Sequence, residues 1–358
     1  MLARSRVAEL LGTEIPIVQA PMAGGFTTPE LVAAVSNVGA LGSLAGAYLS
    51  LDETREAIRA IRRLTDRPFA VNLFAPLPPA VVDIEAIAAM NAVLRPFREE
   101  LGLPEPGASP ALPGSGHVEA QITLLAEEHV PVFSFTLGKI PFELVKEAGS
   151  VVLATATTVA EAVELERLGV DAIVAQSGEA GGHRGTFLGA FEEGVVGGIA
   201  LAPRIVDQVS VPVLLAGGIM DGRGIAAAFA LGAEGVQLGT AFLSCRESGA
   251  PAAYRRALAA AGDATVVTPA FSGRHARAVR TRLADAIASS GVELLPFPLQ
   301  AVVSADIRAA AAEADRADLL FVLAGQGADM GRDLSAAELV EALVRETDAA
   351  IDILARDR

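Results

Sequence analysis

Eight short apolar segments, separated by stretches with helical spacing, constrain the fold of this 358-residue chain more than any other feature. Segments that are apolar on both faces are typical of parallel strands covered by helices. The predicted strands are 17–20, 42–45, 69–72, 131–135, 151–154, 172–176, 212–216 and 235–238. Eight strand–helix units predict an α/β fold of the TIM (β/α)8 barrel type, with a doubly wound sheet as the alternative.

Helix boundary signals lie between these segments. Thr28 is predicted to cap a helix whose first residue is Pro29. Apolar spacing predicts further helices over 161–168 and 223–231, each of which ends before a glycine. The alternation of strands and helices therefore extends along most of the chain.

Two regions depart from this alternation. Residues 101–116 are rich in Pro, Gly and Ser, which indicates an inserted loop or lid after the third unit. Beyond residue 264 the pattern becomes mainly helical, most clearly over 280–289 and 305–316. We predict a barrel domain over 1–263 and a C-terminal helical extension over 264–358 that caps the barrel.

Charge and cysteine content narrow the function classes. A net charge of -15 argues against nucleic acid and acidic lipid as partners, because binding them needs a basic surface. Residues 224–245 carry a single charge, but Gly232 and Gly235 interrupt them, so no membrane span is expected. A lone cysteine, Cys245, and an N-terminus without a secretory pattern predict a cytoplasmic protein.

Glycines follow the last two predicted strands, where barrel enzymes commonly bind phosphate. Gly217, Gly218 and Gly239 would expose backbone N–H groups, and Thr240 adds a hydroxyl. The alternative is that these glycines only form tight turns. No G-x-G-x-x-G motif follows a strand, which disfavours a Rossmann fold.

Other polar and flexible residues fall at the same predicted end of the barrel. Asn72 and Gln176 end two strands, so their amides would point either to a heteroaromatic ring or to loop backbone. After the first strand, Ala20, Pro21 and Met22 would lay backbone and a soft side chain against a ring face, or form a simple turn.

His183 is the candidate catalytic residue. It follows the sixth predicted strand, and the glycines before it, Gly181 and Gly182, permit close approach of the backbone to a flat ligand. Its imidazole can act as a base near neutral pH. The alternative is that the segment is an ordinary surface loop whose histidine is solvated. The other histidines and Cys245 lack ligand spacing, so no metal site is expected.

Five segments in this order resemble the nitronate monooxygenases, formerly called 2-nitropropane dioxygenases. They are QAPMAGG at 19–25, VNLF at 71–74, SFT at 134–136, EAGGHRG at 179–185 and QLGT at 237–240. The resemblance runs from about residue 10 to residue 335. It implies a barrel that holds non-covalent FMN and oxidises a nitronate or nitroalkane with O₂ to a carbonyl compound and nitrite.

By the same resemblance, His183 would be the catalytic base, and the FMN contacts would include Gly181 and the residues already singled out at the strand ends. These are Ala20, Pro21, Met22, Asn72, Gln176, Gly218, Gln237, Leu238, Gly239 and Thr240. Phe297 lies in the C-terminal region where several family members carry tyrosine. A homodimer is compatible with the sequence, which does not determine the oligomeric state.

The rival function is an FMN-dependent NAD(P)H reductase of the enoyl-acyl-carrier-protein or quinone reductase type. Such enzymes share the fold, the glycine-rich phosphate site and a similar Glu-x-Gly-Gly-His segment. The first-strand and Val-Asn-Leu-Phe motifs favour the monooxygenase. A flavin-binding sensor without turnover would need His183 to be purely structural.

Overall fold

The computed structural model describes residues 5–77, 82–106 and 117–356, and its centre is a parallel eight-stranded barrel. The strands are β1 (Ile17–Gln19), β2 (Gly42–Ala45), β3 (Phe69–Phe74), β4 (Val132–Thr136), β5 (Val151–Ala156), β6 (Ala172–Gln176), β8 (Val213–Ala216) and β9 (Gly235–Leu238). Neighbouring strands around the barrel follow the order β1, β9, β8, β6, β5, β4, β3 and β2. The sequence-based prediction of eight parallel strands is confirmed, with shifts of one or two residues at some ends.

A single parallel bridge between Val18 and Leu41 joins β1 to β2 and completes the ring of strands. Val18 and Leu41 also belong to the apolar cluster that fills the barrel. The amino-terminal helix α1 (Arg6–Leu11) adds Val7 and Leu11 to that cluster. The barrel is therefore a packed core, and a ligand has room only beyond the carboxyl ends of the strands.

Helices cover the outside of the barrel. They are α2 (Pro29–Asn37), α3 (Leu51–Leu64), α5 (His117–Glu127), α6 (Glu143–Glu147), α7 (Val159–Leu168), α8 (Gly198–Val206) and α9 (Gly222–Ala230). The predicted N-cap is confirmed, because the Thr28 side chain accepts a hydrogen bond from the N–H of Leu31. The strand–helix alternation thus holds through the eight units.

A second apolar cluster forms a lobe of helices and a short sheet. Its helices are α4 (Ile84–Leu101), α10 (Thr240–Leu243), α11 (Ala252–Ala259), α12 (Arg282–Ala288), α13 (Leu299–Val303) and α14 (Ala305–Glu313), with 3-10 turns at 317–319 and 328–330. Helix α4 comes from the third unit, yet it packs on α12, α13 and α14. The lobe therefore joins two distant parts of the sequence.

The region after residue 264 contains a β-hairpin that the mainly helical prediction missed. Strands β10 (Thr265–Thr268) and β11 (Ala276–Val279) are antiparallel, and β11 also pairs with β7 (Gly182–His183). The pairing aligns Ala276 with His183. The lobe thus holds the backbone of the candidate catalytic residue.

The last helix, α15 (Ala336–Arg356), returns to the barrel and packs between α9 and α2. It occupies the eighth helix position of the outer ring, and Leu339, Val340 and Leu343 join the apolar cluster that packs the outer helices against the strands. The predicted domain boundary near 263 stays a prediction.

The predicted insertion at 101–116 begins where α4 ends. Gly102 caps that helix in the left-handed conformation, φ 67°, and residues 107–116 lie outside the described ranges. Within those ranges no helix has the length and apolarity to span a membrane.

Candidate active site

A cavity of about 490 Å³ opens at the carboxyl ends of the barrel strands, beneath the lobe. Its size is in the range of small-molecule and cofactor sites. All the predicted site residues line it: Ala20, Pro21, Met22, Asn72, Gln176, Gly181, Gly182, His183, Gly217, Gly218, Gln237, Leu238, Gly239 and Thr240. The residues that sequence reasoning selected one by one are thus brought together around one space.

His183 faces this cavity from β7 and is surrounded by phenylalanine rings. The rings of Phe271 and Phe297 lie 5.6 and 5.5 Å from its ring centroid, and that of Phe74 lies 6.3 Å away. Burial, with a smaller contribution from the nearby positive charge of Arg274, lowers the pKa of His183 to about 4. The imidazole is therefore uncharged at neutral pH.

Ser272 is the hydrogen-bond partner of His183. Its fully buried Oγ lies 2.7 Å from His183 Nε2. The same Oγ accepts from the N–H of Arg274 at 3.3 Å and can donate to the carbonyl of Arg274 at 3.4 Å. This arrangement lets Nε2–H donate to Ser272, which leaves Nδ1 as the nitrogen with a free lone pair.

We expect Ser272→Ala to lower turnover while the fold is retained. Without the acceptor at Nε2, the ring loses its orientation and its preferred tautomer, and loss of one such hydrogen bond costs about 1.4 kcal/mol, or about tenfold in kcat/KM. Steady-state kinetics of the purified protein measure this. Ser150→Ala is the matched control, because that buried hydroxyl donates to the carbonyl of Val130 far from the cavity; a similar loss in both variants would contradict the assignment.

The loop that carries His183 is anchored by a buried carboxylate that the sequence analysis did not single out. Glu161 is fully buried at the start of α7. One of its oxygens accepts from Thr157 and Thr158, and the other accepts from the backbone N–H groups of Phe187 and Leu188. The carboxylate therefore ties the loop after β7 to the barrel wall.

Arg184 is a second buried anchor. Only 1% of it is exposed, and its guanidinium donates to the carbonyls of Gln176, Ser177 and Gly194. Arg184 is therefore neither a solvated loop charge nor an anion-binding group at the mouth of the barrel. Together Glu161 and Arg184 hold the His183 loop from both sides.

Glu161→Gln should unfold at a markedly lower temperature than the parent protein. A glutamine amide presents two donors where five protein donors converge, so buried N–H groups lose their acceptor, at a cost of about 3 kcal/mol. Thermal unfolding followed by circular dichroism measures the shift. Glu53→Gln is the control, since Glu53 occupies the same capping-box position at the exposed start of α3; an equal shift in Tm would show that only capping is at stake.

The turns after β8 and β9 form the end of the cavity expected to hold phosphate. Gly217 and Gly218 have φ values of 119° and 69°, a backbone conformation that residues other than glycine rarely adopt. A Cβ on Gly217 would lie 2.3 Å from Ser177 Oγ and 2.7 Å from the backbone nitrogen of Ala180. Within the described part of the chain, the N–H groups of Gly218, Gly239 and Thr240 have no protein acceptor.

Gly239 differs from Gly217 and Gly218. Its φ is -106°, and a Cβ there would make only ordinary contact with Ala20 at 3.5 Å. Neither backbone conformation nor protein packing requires a glycine at this position. Close approach of a ligand to the backbone gives it a physical reason.

The two predicted amides have different partners. Asn72 donates to the hydroxyl of Ser134 at 2.9 Å. Gln176 donates to the carbonyl of His183 at 3.0 Å and accepts from the N–H of Gly185 at 2.8 Å. Gln176 thus serves the loop backbone, the alternative raised from the sequence, and retains one N–H for a ligand.

Further lining residues of the cavity come from the turn after β1 and from the lobe. Thr27 fixes the turn after β1, because its hydroxyl bonds both the N–H and the carbonyl of Met22. Sequence reasoning missed the residues that the lobe contributes: Phe271, Arg308, Phe321 and Leu323. The β-branched run Thr265–Thr268 before Gly273 was the one signal that could have indicated the hairpin beside them.

No group of three or more metal-ligating side chains occurs among the described residues. The groups that line the cavity include the uncharged imidazole of His183, the backbone donors of the turns after β8 and β9, and the guanidinium of Arg308.

Two solved structures are similar over nearly the whole chain. Nitroalkane oxidase from Streptomyces ansochromogenes has a TM-score of 0.87 at 38% identity, covering 97% of this chain and 99% of that one. FabK from Thermotoga maritima has a TM-score of 0.77 at 30% identity, covering 99% of both. Fold and site together define a barrel-fold oxidoreductase.

Sequence comparison gives the family. The family model described as nitronate monooxygenase matches residues 4–346. A probable nitronate monooxygenase of Staphylococcus aureus is 40% identical over 352 residues, which are 97% of this chain and 98% of that protein. The chain belongs to the nitronate monooxygenase family, and the family expectation drawn from the sequence is confirmed.

Proposed function

We propose that the protein binds FMN and oxidises alkyl nitronates with O₂ to carbonyl compounds and nitrite. The observation that carries the proposal is the uncharged His183, held in the same cavity as a cluster of unused backbone donors. A base and a phosphate cradle in one cavity suit a flavin enzyme that accepts a small acidic carbon compound.

The residues fit FMN. The free N–H groups of Gly218, Gly239 and Thr240 would hold its phosphate. Thr136 has a buried hydroxyl without a partner among the described residues, and it lines the cavity beside Asn72 and Gln176. When bound, FMN would accept electrons from the substrate and pass them to O₂.

His183 sets the preference between the two forms of the substrate. Its Nδ1 lone pair can take the proton from the carbon that bears a nitro group. The lowered pKa keeps the ring uncharged, but it also weakens the ring as a base. We therefore propose nitronates, which arrive already ionised, as the better substrates, with neutral nitroalkanes turned over more slowly.

Phenylalanine rings around His183 exclude water from the reacting carbon. Phe297 contacts the imidazole edge-on in the region where several relatives carry tyrosine. A phenyl ring offers no hydroxyl to a polar substrate, so this wall favours alkyl groups.

The decisive experiment measures the products. Purified protein would be reconstituted with FMN, and O₂ uptake and nitrite release would be followed with propyl-2-nitronate. Nitrite formation without added NADH or NADPH is the expected result. The absence of nitrite, together with rapid anaerobic bleaching of the flavin by NADH or NADPH, would favour the reductase alternative, to which the similarity with FabK gives weaker support.

A further inference from the structure

Arg308 is the one charged side chain among the described residues that line the cavity. It projects from α14 in the lobe, and its neighbours on that wall are apolar: Phe271, Pro298, Ala301, Val302 and Ala305. A single cation in an apolar cavity dominates the local electrostatic potential, because low polarity strengthens the interaction with an incoming charge.

The guanidinium is only partly used by the protein. One Nη donates to the carbonyl of Ala301 at 2.8 Å. The Nε atom is buried and has no hydrogen-bond partner within the described ranges. The remaining Nη N–H groups have no acceptor among the described residues, so they are available to a ligand that enters the cavity.

No carboxylate of the described chain forms an ion pair with Arg308. Asp306, the acidic residue nearest in sequence, is bound instead to the buried Arg98 at 2.7 Å. Arg316, in the same lobe, is by contrast paired with Glu100 and Asp318. Arg308 therefore has no ion pair of its own within the described ranges, although the charge of Asp306 lies near enough to favour its protonated form.

Aromatic stacking orients Arg308 relative to the proposed base. Its guanidinium carbon lies 5.1 Å from the centroid of the Phe271 ring, and that ring lies 5.6 Å from the ring of His183. The cation thus sits on the substrate side of the cavity, one aromatic ring away from His183.

We infer that Arg308 binds an oxyanion of the substrate and makes the cavity select anions over uncharged molecules of the same shape. This inference rests on the proposed function, because it identifies which charge state of the substrate the site prefers. The oxyanion belongs either to the nitronate group itself or to a second acidic group elsewhere on the same molecule. A guanidinium binds either oxyanion in the same way, through a pair of N–H donors.

Arg308→Met tests the inference, because methionine keeps an unbranched apolar side chain against Phe271 and removes the charge. We expect KM for propyl nitronate to rise at least tenfold, with kcat changed by less than threefold and KM for neutral nitropropane unchanged. Arg308→Lys should restore most of the affinity. Arg316→Met, in the same lobe but outside the cavity, should leave both constants as in the parent protein.

The oxyanion bound by Arg308 is either the nitronate group or a second acidic group on the substrate. A nitronate that has the chain length of propyl nitronate and also carries a terminal carboxylate distinguishes the two. If Arg308 binds the second acidic group, Arg308→Met should raise KM for this substrate more than for propyl nitronate. Equal factors would place the nitronate oxygens at Arg308. Equal rises in KM for nitronate and neutral nitroalkane, or no rise for either anion, would overturn the inference.

Binding measured without turnover separates this inference from the proposed function. Isothermal titration of the FMN-loaded protein with nitrate, a planar oxyanion, should give a dissociation constant that weakens at least tenfold in Arg308→Met and recovers in Arg308→Lys. If the parent protein released no nitrite but still bound nitrate in this Arg308-dependent way, the proposed function would fail and the anion site would stand. If the parent protein released nitrite but nitrate binding were unaffected by Arg308→Met, the proposed function would stand and the anion site at Arg308 would be overturned.

Discussion

Replacement of His183 by asparagine is expected to lower kcat/KM for a neutral nitroalkane by about 100-fold to 10,000-fold, the usual contribution of a positioned general base. Turnover of the preformed nitronate should fall much less, since that substrate has already lost its proton. Asparagine keeps a polar group near Ser272 while it removes the basic nitrogen. Parallel steady-state assays of the two substrate forms measure the difference, and equal losses would count against a role as base.

The pH dependence of the parent protein provides an independent check. Because the pKa of His183 is lowered to about 4, protonation disables the base only as the pH falls toward that value. The kcat/KM for a neutral nitroalkane should therefore be flat from pH 8 to about 5 and decline below it. A decline centred on the ordinary histidine pKa of about 6.5 would mean that His183 is more hydrated than the surrounding rings indicate.

Gly217→Ala is expected to abolish retention of FMN and to destabilise the fold. Its φ of 119° excludes a Cβ without strain, which costs about 1–3 kcal/mol, and the methyl group would press on Ser177 and Ala180. The turn would have to move, and the neighbouring N–H of Gly218 would move with it. The FMN-to-protein ratio after gel filtration and the Tm of the apoprotein measure the two effects.

Gly169→Ala separates strain from cofactor binding. Gly169 also has a positive φ, 93°, but a Cβ there would meet nothing within 4 Å, and it caps α7 away from the cavity. This variant should lose about 1 kcal/mol of stability and keep its FMN. Loss of FMN in both variants would show that general destabilisation, rather than the cradle, explains the result.

The barrel could be predicted because its determinants are local. Each strand is a short apolar run, and the residues at its carboxyl end must face the common mouth, so Asn72, Gln176 and His183 could be placed together from the sequence. The tight turns after the strands were also predictable where glycines cluster, as at Gly217 and Gly218.

The lobe could not be predicted in the same way, because its contacts join residues that are far apart in the chain. Ser272 reaches His183 across 89 positions, and Arg98 reaches Asp306 across 208. Neither pair has a local pattern that indicates its partner. Gln176 shows the same limit at short range, since its position at a strand end did not reveal whether its amide serves a ligand or the loop backbone.

The return of α15 to the barrel has a consequence for protein engineering. The larger part of the lobe leaves the barrel after β9 and the wall of helices resumes at α15, so this part is an internal insertion between the eighth strand and the eighth helix. A chain stopped at residue 263 would expose the apolar faces of α2 and α9. Excision of the segment between α10 and α15, with a short linker in its place, would preserve the eight outer helices but would expose the apolar face of α4. A minimal barrel on which foreign lobes could be grafted therefore also requires polar substitutions on that face of α4.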